Sequence, residues 1–233
     1  MARVWAILVA VATATFVLAP LATPGFGGFD MEAFTVPQLD PPILPAGYAF
    51  GIWGLIYTLL IISSVFGLWY RADDMDWGPM RPALFVSLAL GTVWLVVAKA
   101  SPVAATGLLG LMLATGLLAL FRTGETDRWL QLTPLAIYCG WLTAAFAVAV
   151  GLLLGGELGL NPTVAALCAL GGGLVLAIAV QYQLHRAPEY SLAVIWALVA
   201  VIAANWQPFN VAVCGIAFLG IIAILGLRGT DTE

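Results

Sequence analysis

The sequence predicts an all-α, polytopic integral membrane protein, a helix bundle with about eight transmembrane helices. Three observations lead there. Hydrophobic residues make up 63% of the 233-residue chain and charged residues only 9%, against roughly 25% charged in a soluble domain. The mean hydropathy is +1.05. Apolar windows of about 20 residues, each long enough to cross a bilayer, recur along the whole chain, and the arginines fall in alternate gaps between them.

The windows lie at about 4–23, 47–70, 82–100, 103–121, 131–154, 162–183, 190–206 and 209–227. Val4 to Leu21 follows a single Arg3 and also fits a secretory signal ending near Ala22. At roughly 18 apolar residues it exceeds the 7–15 of a usual signal core, so a retained helix is expected. Pro102 separates the third window from the fourth and Pro208 the last two, so each pair reads as a tight hairpin. With the N-terminus in the cytoplasm, Arg3, Arg71, Arg81, Arg122, Arg128, Arg186 and Arg228 share one side and Lys99 stands alone on the other. Losing any one span would scatter these arginines. The expected location is therefore the bilayer, a bacterial inner membrane, with both termini cytoplasmic.

Charge and chemistry exclude several functions. Eight basic against twelve acidic residues give a net charge of −4, too few cations for a nucleic-acid surface. Asp30, Glu32, Asp40, Asp73, Asp74, Asp76, Glu125, Asp127, Glu157 and Glu189 all fall in expected loops. A proton- or ion-coupled carrier needs ionisable groups at mid-depth, so a coupled transporter is disfavoured. His185, the only histidine, sits beside Arg186 at a helix end, where a solvated, dipole-favoured imidazole is the simpler reading than a haem ligand. Cys139, Cys168 and Cys214 lie in apolar runs without metal spacing and read as small buried hydrophobes. No catalytic constellation appears, and no cofactor is required.

What remains is aromatic. Phe50, Trp53 and Tyr57 follow a stiff loop containing Pro41, Pro42 and Pro45, at spacings that place them on one helix face. Trp94 lies well inside the third window, and Tyr138, Trp141 and Ala145 share a face of the fifth. An interfacial belt or ordinary helix packing accounts for many such residues. A buried indole N–H, however, needs an acceptor in a medium with few of them, and either a ligand or a neighbouring carbonyl would serve. The loop and helix thus read as an anchor or as a lidded pocket.

The Pro41-Pro42-x-x-Pro45-x-x-Tyr48-x-Phe50-x-x-Trp53-x-x-x-Tyr57 pattern, Trp94 in its Ala-Leu-x-Thr-x-Trp setting, and Pro134-x-x-x-Tyr138-x-Gly140-Trp141-Leu142-Thr143 resemble the tryptophan-rich sensory protein family, which includes the mitochondrial translocator protein. The resemblance covers about residues 1–155 and implies a five-helix core, leaving 156–233 as three additional helices and a short tail. It implies a receptor or sensor that binds a flat hydrophobic ligand, a tetrapyrrole (porphyrin, or haem-type) or a sterol-like molecule. Phe50, Trp53, Tyr57, Trp94, Tyr138, Trp141 and Ala145 would form the wall, and Pro41, Pro42 and Pro45 the lid. An uncoupled exporter of such ligands, a porphyrin-degrading activity and a structural subunit of a larger complex are the alternatives. The chain departs from the family pattern where Gly91 replaces an Asn before Trp94, and where Ala147, Val148 and Ala149 occupy a region that usually carries another. Gly107, Gly110 and Gly116, with Gly171, Gly172 and Gly173, allow close helix approach, within the chain or in a homodimer.

Overall fold

The structure, a computed structural model, describes residues 1–25 and 27–230. The described residues form helices joined by loops: α1 (Ala2–Ala22), a 3-10 turn (Gly47–Gly51), α2 (Ile52–Trp69), α3 (Arg81–Ala100), α4 (Pro102–Phe121), α5 (Arg128–Gly156), α6 (Pro162–Gln183), α7 (Pro188–Ala204) and α8 (Val211–Thr230). Local chemistry sets many of the boundaries. Proline stands in the first turn of α3, α4, α6 and α7, where its missing N–H costs nothing. The Ser101 hydroxyl accepts from the Ala104 N–H at 3.2 Å, and the Asn161 side chain accepts from the Thr163 N–H at 3.0 Å, so α4 and α6 carry side-chain N-caps.

Among the described residues seven helices are long and apolar enough to cross a membrane. The exception is α7, with 17 residues, about 25 Å of helix against a hydrocarbon core of about 30 Å. Pro188 opens it and Asn205 caps it, which shifts the expected window toward the N-terminus by about two residues without shortening it. The first turn of α7 also contains Glu189, which is buried, whereas the sequence placed it in a loop. A second correction concerns Cys168, which is exposed, while Cys139 and Cys214 are buried.

The chain falls into two compact units that interleave in sequence, one comprising Met1–Phe29 with Ile52–Cys139 and the other Asp30–Gly51 with Gly140–Glu233. In the first, α3 packs against α1 and α4, and α1 also meets α2. In the second, α8 packs on α6 and α7, and α7 meets the 3-10 turn. The division passes through α5 rather than after it, so the proline loop groups with the last three helices.

At one end of the first unit the α2–α3 loop is tied down by charge. Arg71 Nε and Nη2 donate to the Asp127 carboxylate at 2.6 and 3.3 Å, and the Trp77 indole donates to it at 3.2 Å. Those bonds, chiefly the one from Arg71, hold the Asp127 carboxyl below the usual carboxylate range. The fully buried Arg81 reaches back over the end of α2 to the carbonyls of Gly67, Arg71 and Ala72, at 3.1, 2.7 and 2.7 Å. A guanidinium there satisfies carbonyls that have no partner within the helix.

Candidate functional site

In the first unit the α2 aromatics behave as their spacing requires. Trp53 and Tyr57, one turn apart, stack with centroids 5.3 Å apart and planes at 29°. Both are half-buried, so the stacked pair keeps an open side. Its other side meets a residue the sequence reading missed. Phe16 of α1 sets its ring edge-on to Trp53 (5.9 Å), Tyr57 (5.5 Å) and Tyr138 (6.0 Å) and is itself 5% exposed. Such T-shaped contacts contribute about 0.5–1.5 kcal/mol each beyond burial.

Gly91 makes this possible. A Cβ at that position would lie 2.6 Å from the Phe16 ring and 3.0 Å from Met112, so no side chain fits there without moving the ring. The departure from the family pattern at Gly91 is thus matched by an aromatic that fills the space. The only signal in the sequence was a glycine and a phenylalanine on different helices, which spacing cannot pair.

Tyr138, fully buried, lies at the base of this cluster. The Ser87 hydroxyl donates to the Met112 carbonyl at 2.8 Å, so the Tyr138 hydroxyl, 2.8 Å from the same oxygen, donates to Ser87. Trp94 answers the question its depth raised, since its indole N–H donates to the Ala105 carbonyl of α4 at 2.9 Å. Its ring lies 6.0 Å from that of Phe29.

The second unit holds the rest of the expected wall and the lid. Phe50 belongs to the 3-10 turn before α2, so it does not extend the α-helical stack, and its ring meets Trp141 edge-on at 5.8 Å. Trp141 is buried and Ala145 half-buried along α5. Pro41 and Pro45 are buried and Pro42 half-buried. Three hydrogen bonds hold this loop to α7. The Asn205 side chain donates to the Pro42 carbonyl (2.8 Å), the Ala46 N–H to the Ala200 carbonyl (3.0 Å), and the Trp196 indole to the Ala49 carbonyl (3.0 Å).

A glycine stripe on α5 receives the same loop. A Cβ at Gly151 would strike Ile43, one at Gly155 would strike Gln38, and one at Gly156 would strike Phe34. The Val36 N–H donates to the Gly156 carbonyl at 2.7 Å. Small residues at such spacing are usually read as helix contacts, and here they seat a loop instead. Ala147, the second departure from the family pattern, faces Gly173 of α6, whose Cβ would come within 2.8 Å of it.

Among the described residues no group of three or more His, Cys, Asp or Glu is placed to hold a metal. His185 lies just past α6, its ring 5.8 Å from Tyr182 and its carbonyl accepting from Arg228 at 3.0 Å. The half-exposed rings of Trp53 and Tyr57 suit a planar apolar face.

No curated protein and no solved structure gives a significant match. The family described as TSPO-like protein matches residues 4–228. That span runs through α8, well beyond the 1–155 to which the motif resemblance was confined. The chain is therefore a member of the TSPO-like protein family, an integral membrane helix bundle.

Proposed function

We propose that this protein is a membrane receptor or sensor for a flat, largely apolar ligand of the tetrapyrrole class. The observation that carries the reading is the stacked Trp53–Tyr57 pair, half-buried and backed by the edge of Phe16. Stacking on an exposed aromatic face needs no charged partner and suits a porphyrin plane. Trp94 and Tyr138 of the first unit belong to the same proposal, and Phe50, Trp141 and Ala145, with the cover of Pro41, Pro42 and Pro45, are proposed as an aromatic surface of the second unit. The arginine pattern supports a cytoplasmic placement of both ends, and the membrane proposed is a bacterial inner membrane.

Protoporphyrin titrated into the detergent-solubilised chain is expected to quench tryptophan emission saturably. In Trp53→Ala and Trp141→Ala the quenching midpoint should rise about tenfold, the loss of one good stacking contact. An unchanged midpoint in both variants would remove the site. Uncoupled passage of the same ligand is the second reading, supported by the absence of a mid-depth carboxylate from the apolar windows. Ligand flux into proteoliposomes without an ion gradient separates it from binding alone.

A further inference from the structure

A buried chain of contacts in the first unit leads from α3 to the stacked pair on α2. It starts at Ser87, which like Tyr138 is 0% exposed. The Ser87 hydroxyl gives its only proton to the Met112 carbonyl of α4, so the bond between the two hydroxyls carries the proton of Tyr138. Donation therefore runs from Tyr138 to Ser87 to Met112. Gly116, one turn beyond Met112, permits this approach of α4, since a Cβ there would lie 3.3 Å from the Ser87 oxygen and 3.2 Å from Cys139 Sγ.

On its other side the Tyr138 ring meets Phe16 at 6.0 Å with planes at 72°, and Phe16 in turn meets Trp53 and Tyr57. Phe16 has little slack. A Cβ on Gly91 would lie 2.6 Å from its ring and 3.0 Å from the Met112 methyl, so the ring is wedged against the α3 backbone. In a close-packed interior a ring that moves displaces its neighbours. A phenol hydroxyl lies on the long axis of its ring, so the acceptor that takes its proton also sets where the ring sits. Left without that acceptor, a buried phenol is costly and turns toward another.

We propose that Ser87 is a positioning residue for the aromatic face. By holding the Tyr138 hydroxyl it sets the ring edge on which Phe16 rests, and through Phe16 the angle at which Trp53 and Tyr57 meet a planar ligand. Ser87 is enclosed and acts only through its neighbours. As far as the ligand is concerned, this inference rests on the receptor reading above.

The test compares Ser87→Ala, Tyr138→Phe and the double variant in the full-length chain in detergent, each well below its melting temperature. Ser87→Ala strands the Tyr138 proton and should raise the protoporphyrin midpoint about fivefold, the equivalent of one neutral hydrogen bond. Tyr138→Phe keeps the ring and has no proton to place, so it should bind as the parent does. Added to Ser87→Ala, it should restore the parent midpoint. A second readout needs no ligand: the NMR resonance of the Trp53 indole N–H, identified by its loss in Trp53→Phe, should shift in Ser87→Ala and return in the double variant. A merely structural Ser87 would lower the melting temperature and leave midpoint and resonance unchanged. That result, or a double variant as perturbed as Ser87→Ala, would overturn the proposal. If the parent itself does not bind protoporphyrin, the receptor reading falls, and the indole resonance still decides whether Ser87 sets the face.

Discussion

Phe16 touches three aromatic rings and lies where a side chain on Gly91 would otherwise project. Phe16→Ala should therefore lower stability by about 3 kcal/mol, as buried Phe truncations do, and also vacate space beside Trp53 and Tyr57. Protoporphyrin is expected to bind this variant more weakly than the parent in the quenching titration, because the stacked pair loses the ring that backs it. Gly91→Ala pushes on the same ring and should cost about 1–3 kcal/mol by overpacking, read as a lower thermal midpoint. At Asp127 the prediction is one of pH. Its carboxyl is held below the ordinary value, chiefly by Arg71, so the stability it contributes is complete above about pH 4 and lost as pH falls through the lowered value. Melting curves between pH 7 and pH 3 should show this acid loss, and Asp127→Asn should remove that part of it.

At the scale of elements, the loop before α2 is seated in helix α5 and bonded to α7. Gly156→Ala should unseat Phe34 and, with it, the Val36 bond to the same glycine, at a cost of about 1–3 kcal/mol. Hydrogen exchange read over residues 30–46 should then speed up, while α3 and α4 keep their protection. The sequence made the helices legible, since hydropathy and first-turn prolines set their ends to within a few residues. It also identified the Trp53–Tyr57 stack, because helical spacing alone brings those rings together. It missed Phe16, which is unremarkable in an apolar run, and the role of Gly151, Gly155 and Gly156, because glycine spacing reports available room and not what enters it. Trp94 was correctly placed inside a helix, but the Ala105 carbonyl that takes its proton depends on how α3 and α4 pair.

At the scale of the whole molecule, the last three helices carry most of what holds the proline loop, so the chain does not divide cleanly after α5. A fragment ending at 155 would keep the aromatics and lose Trp196, Ala200 and Asn205, the three partners of the loop. Its residues 41–50 are expected to exchange as fast as an open loop, whereas in the intact chain they should be protected.

The bond from Asn205 to Pro42 spans 163 residues. At about 5–20 residues per second of synthesis, the loop waits on the order of ten to thirty seconds for that partner to be made. Throughout this interval Pro41, Pro42 and Pro45 bar it from helix and weaken any strand it could form, so a nascent chain holds an apolar segment in a state with little to mispair. Replacing those prolines would leave the finished hydrogen bonds in place, since Pro42 contributes only its carbonyl, and would be felt first as lower yield during membrane insertion.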